Sequence, residues 1–469
     1  MERKRKQVFA LFLAGRSTFP ASLLAGAARE VTTAVEQAGY GCLLPPKGLL
    51  SGGAVSSRQE GEVYAQWLRS VEGQYDGVLM SLPNFGDENG AAEAMTGVQV
   101  PIFIHAYPDE AGKMDIASRR DAYCGKISIM NALRQRGIPF TVFEPHVVRP
   151  ETVAFAENLR EFASVCRMVN GGRRMRIGAI GARATAFKTV RYDEAALEKL
   201  GVTVETYDLL YLYERVATLR PDDARLEAKR QRLIGYADCS CVPPEKLARL
   251  CAVGVALDEI ISADALDAVA IRCWNEMETT FGIAPCLLLS ELSDRFVEGV
   301  CETDICNAAV MRLLRLGAER PAVCLDWNNN YGDEPDKCIL FHCGPVAGSL
   351  MRGKGKVTDH SILANSFGAG CGWGCNQGRI ADFPMTYASA KTENGRFALY
   401  LGEGHFTDDP IDGNYFGCAG VAEIPGLQQK LIRIGREGYK HHMSAAPGHF
   451  ARALREACEM YLGYDIAAF

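Results

Sequence analysis

Over roughly the first 165 residues, short apolar runs alternate with amphipathic stretches. This alternation limits the possible folds more than any other feature of the chain. "QVFALFLAG", "YDGVLMSLPNF", "VPIFIHAYP" and "IPFTVFEPHV" read as four buried strands. Between the first two, "ASLLAGAAREVTTAVEQAGY" carries its apolar residues at helical spacing and ends near Gly39. Strands alternating with helices imply a parallel sheet with crossover helices. Ligands of such sheets sit at the carboxyl ends of the strands. Chemistry is therefore expected on the loops "GRSTFP" (15–20), "NFGDENG" (84–90) and "HAYPDE" (105–110).

A second α/β unit begins after the Gly-rich, basic break "NGGRR". "MRIGAIGARATAF", "GVTVETYDLL" and "ALDAVAIRCW" continue the pattern. The glycine spacing in "GAIGARATAF" does not fit G-x-G-x-x-G, which argues against a dinucleotide site. Beyond about residue 365 the chain is rich in Gly, Thr and aromatics, which predicts short antiparallel strands in a small barrel or sandwich. "GHFARALREACEMYLGYDI" then closes the chain with a helix and a strand. The expected class is α/β, with two doubly wound parallel-sheet domains, 1–168 and 169–348, and a C-terminal β-rich domain, 349–469.

Charge and cysteine usage narrow the function classes. Acidic residues outnumber basic ones, 57 to 51, which argues against a nucleic-acid binder. No run approaches the roughly 20 apolar residues of a membrane span. "MERKRKQVFALFLAGR" lacks a small-residue cleavage site, so it reads as a first strand and not as a leader. With 17 cysteines, this predicts a cytoplasmic protein with reduced thiols, most of them small core fillers. "CGWGC" (371–375) has no second pair at zinc-site spacing.

Three polar positions stand at strand ends or helix starts: Glu302 in "VCETDIC", Asp326 in "VCLDWNNN" and His342 in "ILFHCG". Two carboxylates and an imidazole converging there would suit Mn²⁺, Mg²⁺ or another divalent cation better than a thiolate metal. Each also has a plainer reading. Glu302 and Asp304 favour the positive N-terminus of the next helix. Asp326 suits a turn before "NNN", and His342 suits a hydrogen-bonded core position. The chain has only eight histidines, and three fall within "YKHHMSAAPGH": His441, His442 and His449. Neighbours on a strand face opposite sides, so one of His441 and His442 can face a site. His449, before the last helix, suits a loop anchor.

Taken in order, "CWNEMETTFGIAPC", "CETDICNAAVMRLL", "LDWNNNYGDEPDKCILFHCG" and "YKHHMSAAPGH" resemble the L-fucose and L-arabinose isomerase superfamily, in its fucose-isomerase-like branch. The resemblance covers most of the chain. It implies a metal-dependent aldose–ketose isomerase working through a cis-enediol, with Glu302 and Asp326 as ligands and acid/base pair and His442 as the third ligand. His441 is the near alternative to His442, and His342 matches an additional ligand of the arabinose-isomerase branch. Trp327, Asn328 and His441 are the substrate-facing candidates beside the ligands. The resemblance also implies a homo-oligomer, a hexamer or trimer with sites at subunit interfaces, to which Arg16, Asn84 and Tyr123 of a neighbour would contribute. The branch includes enzymes proposed to act on sulfoquinovose, whose C6 sulfonate calls for fixed cations. Arg16, Arg183, Lys188 and Arg379 are candidates for that role. The alternatives are a neutral sugar of the L-fucose or L-arabinose type, or a non-catalytic sugar binder on the same scaffold.

Overall fold

The structure, a computed structural model, describes residues 5–467. It groups into two units. One holds the chain up to Asn170 together with Glu456–Leu462, and the other holds Gly171–Arg455 and the remaining C-terminal residues.

In the first unit, β1 (Val8–Leu13), β2 (Gly41–Leu43), β3 (Gly77–Leu82) and β4 (Ile102–Ala106) form a parallel sheet in the order β2-β1-β3-β4. "VFALFL" and "GVLMSL" are buried along nearly their whole length. Central strands of a parallel sheet are covered on both faces and so carry continuous apolar runs. "IPFTVFEPHV" does not form the expected strand and contributes one bridge, Thr141 to Phe103. Pro139 and Pro145 interrupt it, and proline has no N–H to give a ladder. The fourth strand is instead β2, whose three residues are too short for a periodic signal. From the C-terminal segment, the Tyr461 hydroxyl lies 3.0 Å from Thr141 Oγ1.

The second unit opens with β5 (Met175–Ile180), β6 (Val202–Tyr207), β7 (Ala268–Ile271) and β8 (Glu298–Cys301), parallel in the order β6-β5-β7-β8. Gly299 lets β8 close on the helix Cys286–Asp294, since a Cβ there would lie 2.5 Å from the Leu289 carbonyl oxygen. Leaving β8, the chain turns through Glu302 and Thr303 and enters the helix Ile305–Ala318. Asp304 caps that helix, accepting from Asn307 N at 3.2 Å.

Nine further strands form one mixed sheet: β9 (Val323–Asn330), β10 (Lys337–His342), β11 (Lys356–Thr358), β12 (Cys375–Arg379), β13 (Phe383–Glu393), β14 (Arg396–Thr407), β15 (Cys418–Glu423), β16 (His442–Pro447) and β17 (Asp465–Ile466). β14 pairs with β15 as well as with β13, so β15, β10, β9, β16, β13 and β14 close into a barrel. Its strands are not all short, since β13 and β14 run 11 and 12 residues. Leu325, Leu340, Met385, Tyr387, Tyr400, Phe406 and Met443 pack in its core. Asp326 of β9 lies directly opposite His442 of β16 and Phe341 of β10. That register brings together two side chains 116 positions apart in the chain, counted from 326 to 442.

All 17 cysteines are free thiols. Among the described residues, no helix is long and apolar enough to cross a membrane.

Candidate active site

The site is assembled where the end of β8 meets β9, β10 and β16. Glu302 and Thr303 have φ of +62° and +57°. Two consecutive non-glycine residues in the left-handed region are strained, each by roughly 1–3 kcal/mol, and such strain persists only where surrounding contacts over-determine it. Here the turn is fixed by Thr303 N donating to the Ile271 carbonyl at 3.2 Å and by the capping role of Asp304. The result aims the Glu302 carboxylate at the barrel. Trp274 Nε1 donates to Glu302 Oε1 at 3.1 Å, leaving Oε2 to face His442 Nε2 at 3.0 Å.

His442 is 1% exposed and lies among three carboxylates. Nδ1 is 2.9 Å from Asp304 Oδ2, while Nε2 is 3.0 Å from Glu302 Oε2 and 3.3 Å from Asp326 Oδ1. Burial lowers an imidazole pKa, but contacts with Cys324, Asp304 and Glu302 outweigh it and raise His442 well above its ordinary value. Burial likewise works against the charge of Glu302. The close approach and charge of His442, then His342 and Trp274, overcome it and hold this carboxyl down at about 2.

Asp304 is fully buried. Burial opposes its charge too, but Lys440, with Nζ 2.6 Å from Oδ1, outweighs it with help from His442 and Asn307, and keeps its carboxyl well below the usual range. Asn307 also accepts from Ser444 Oγ at 3.1 Å, and Ser389 Oγ donates to the His442 carbonyl at 2.7 Å. Asp304, Lys440, Asn307 and Ser444 thus form a buried network behind His442. A carboxylate behind an imidazole fixes its tautomer and orientation. With Nδ1–H donated to Asp304, the Nε2 lone pair points at Glu302 and Asp326. Two carboxylates and a lone pair facing one another require a positive charge between them, a proton or a metal ion. Among the described residues, neither His442 Nε2 nor Asp326 Oδ1 completes a hydrogen bond, and this donor set of nitrogen and carboxylate oxygen suits a divalent cation. His342, 2% exposed, offers a further nitrogen: Glu302, His342 and His442 each have a ligand atom within 4.8 Å of the others. His342 Nδ1 accepts from Cys343 N at 2.9 Å, which leaves Nε2 free.

Glu302 and Asp326 line a cavity of about 330 Å³ together with Trp274, Asn328, Phe341 and His360 among others. That volume is at the lower end for small-molecule sites. Asn328 is the residue left unpaired where β9 bulges against β10, between the pairs Ile339–Asn329 and Leu340–Trp327.

The remaining candidates are placed as follows. Trp327 does not join the site: its indole packs in the barrel core, 5.8 Å from Tyr387, and donates to the Tyr400 hydroxyl at 3.0 Å. Strand alternation sends it to the face opposite Asp326. His441 is half-exposed, with Nε2 3.6 Å from Asp326 Oδ1. Burial and the neighbouring His442 lower its pKa. Arg379 does not line the cavity, and its guanidinium donates to the carbonyls of Gly378, Asp412 and Tyr415. Arg183 donates to the Ala184 and Thr185 carbonyls, and Lys188 is exposed. Phe187, on the same loop, was not legible as a site residue, yet its ring is 5.3 Å from His441 and 5.6 Å from Trp274. His449 anchors a loop, with Nε2 3.1 Å from the Gly404 carbonyl.

Arg16, Asn84 and Tyr123 belong to the first unit. Arg16 donates to the Gly86 carbonyl, pairs with Glu88 and lies 4.2 Å over the Phe85 ring. Asn84 is fully buried, its Oδ1 accepts from Gly86 N, and its Nδ2 has no partner among the described residues. Tyr123 is exposed and packs on His146.

Parallel α/β sheets and a closed C-terminal barrel thus carry two carboxylates and an imidazole beside a small cavity. The chain belongs to the fucose isomerase-like family of aldose–ketose isomerases. Residues 10–173 match the family described as fucose/sulfoquinovose isomerase, N-terminal domain, and residues 340–468 match L-fucose isomerase, C-terminal domain. Among curated relatives, the sulfoquinovose isomerase of Priestia aryabhattai is 24% identical over 402 residues, 84% of this chain and 86% of that protein. The sulfoquinovose isomerase of Alkalicoccus urumqiensis is 23% identical over 84% of this chain and 86% of its own length. That of Clostridium sp. (strain MSTE9) is 23% identical over 73% and 75%.

Proposed function

We propose that the protein interconverts sulfoquinovose and 6-deoxy-6-sulfofructose with Mn²⁺ as its cation, through a cis-enediol. The observation that carries the reading is the approach of His442 Nε2 to both Glu302 and Asp326 at the wall of one cavity. Glu302, Asp326 and His442 would hold the cation, with His342 as a further ligand. Bound there, it would supply a Lewis acid for the sugar's O1 and O2.

The chain's own groups carry the protons. One of Glu302 and Asp326 removes the proton from C2 and later delivers it to C1, and the other moves the hydroxyl proton between O2 and O1. Trp274 Nε1 holds Glu302 in place through Oε1. Asp304 and Lys440 fix the imidazole so that Nε2, not Nδ1, faces the site.

The substrate assignment rests on the relatives' names. No lysine or arginine lines the cavity, so the sulfonate needs a cation from elsewhere. In the hexamer or trimer that the family resemblance implies, Arg16 of a neighbouring copy would supply it, and Asn84 and Tyr123 of that copy would help complete the site. The same lack of a lysine or arginine favours a second reading, a neutral deoxyhexose or pentose as substrate.

Proton NMR of the purified protein with Mn²⁺ and separate samples of sulfoquinovose, L-fucose and L-arabinose tests both. A ketose formed fastest from sulfoquinovose supports the proposal, and faster turnover of a neutral sugar supports the second reading. Sugar binding with no ketose and no bound metal contradicts both and leaves a non-catalytic binder.

A further inference from the structure

Glu278 lies on the short helix Glu276–Phe281 and lines the same cavity as Glu302 and Asp326. It is 3% exposed, and neither carboxyl oxygen has a hydrogen-bond partner among the described residues. No cation pairs with it either. The contrast is Glu298, equally buried, whose Oε1 has Arg315 at 3.6 Å and Arg312 at 3.9 Å. Buried carboxyl groups are almost always partnered, so one left alone in a cavity wall calls for an explanation. Cys286 and Glu276 are among the groups that disfavour its charge.

We propose that Glu278 is a specificity-determining residue that hydrogen-bonds sugar hydroxyls in the cavity that Glu302 and Asp326 also line. This rests on the isomerase reading of the cavity. Burial, reinforced by Cys286 and Glu276, pushes its carboxyl up to about 8. At neutral pH it is therefore a carboxylic acid, with one O–H to donate and one carbonyl oxygen to accept. A sugar hydroxyl is likewise donor and acceptor. Beyond the carboxyl groups, Asn328 and His360 are the lining's other strongly polar side chains, and Cys273, Cys286, Ile362 and Leu363 offer a hydroxyl little. As the side chain stands its carboxyl oxygens are closed to solvent, so reaching a sugar requires a rotation about the side-chain bonds. A neutral acid at this wall also tolerates an anionic substituent that a carboxylate would repel.

The test compares wild type with Glu278→Gln and Glu278→Leu in two measurements. One is the thermal midpoint; the other is kcat and KM for the best sugar of an aldose panel with Mn²⁺. The proposal expects midpoints unchanged or higher in both variants, because the unpartnered group opposes folding. It expects Gln, which keeps a donor and an acceptor, within about threefold of wild-type KM. It expects Leu to raise KM about tenfold or more with kcat within threefold. A lowered midpoint with unchanged KM makes Glu278 a structural residue and overturns the proposal, as does a loss confined to kcat. If wild type isomerises nothing in the panel, the functional reading fails separately. The midpoint shift caused by the same sugars then decides: present in wild type and lost in Glu278→Leu upholds Glu278, and any other pattern overturns it.

Discussion

Two histidines of this chain are equally buried and chemically opposite. His105, on β4 of the first unit, is 1% exposed, as is His442 on β16. The His105 ring lies between Ser81 Oγ at 2.9 Å and the Val148 carbonyl at 2.7 Å. These neutral partners satisfy both nitrogens, and burial lowers its pKa to about 3. His442 has carboxylates on both sides, and its pKa rises well above the ordinary value despite equal burial. Burial alone does not mark a functional histidine. The sign of the surrounding charge does, together with a nitrogen left without a hydrogen bond.

The largest expected effect tests the functional side of this contrast. His442→Asn and Glu302→Gln should each lower kcat by roughly a thousandfold or more with the far-UV circular dichroism unchanged, as removal of an acid/base or charge-stabilising group does. Near wild-type turnover in either variant would remove that residue from the mechanism. Asp304→Asn keeps the shape of the cap and removes the charge behind His442. Cation affinity and kcat should fall about 10- to 100-fold, which a metal titration and steady-state rates would show.

The structural side predicts the reverse pattern. His105→Gln should lose about 1–3 kcal/mol of stability with kcat unchanged, read from denaturant unfolding and rates. The sign of its pH dependence follows from the pKa. The unfolded chain takes up a proton near 6.5, whereas folded His105 does not until about 3. Its contribution is therefore full above pH 6.5 and is lost as pH falls toward 3. The slope is at most roughly 1.4 kcal/mol per pH unit, so the thermal midpoint of wild type should fall more steeply between pH 7 and 5 than that of His105→Gln. The smallest effect belongs to His441. It is half-exposed and its approach to Asp326 is long, 3.6 Å, so His441→Gln should change kcat less than about threefold.

Much of this was legible in the sequence because apolar periodicity reports strands and helices directly. The strands of both parallel sheets stand out as apolar runs, apart from the short β2 and β8. Glu302, Asp326 and the histidine pair stood out by their place at element ends and by resemblance. The pairing of Asp326 with His442 was not legible, since antiparallel register depends on long-range contacts. Trp327 was misplaced because strand alternation counts faces but does not say which face is the barrel core. Asp304 read only as a helix cap, and capping is indeed one of its two roles. Its other role depends on Lys440 and His442 arriving from 136 and 138 positions away. Glu278 lies within the motif "CWNEMETTFGIAPC" that carries part of the resemblance, and Phe187 ends the loop in "MRIGAIGARATAF". Neither was legible as a site residue, because an unpartnered carboxyl or a ring over a site exists only in three dimensions.

Calorimetric titration of Mn²⁺ into chelator-treated wild type and His442→Asn tests the central claim most directly. The account predicts one tight Mn²⁺ per chain in wild type, restored isomerisation on binding, and loss of that site in the variant. Isomerisation by the metal-free wild type, or equally tight binding by His442→Asn, would contradict it.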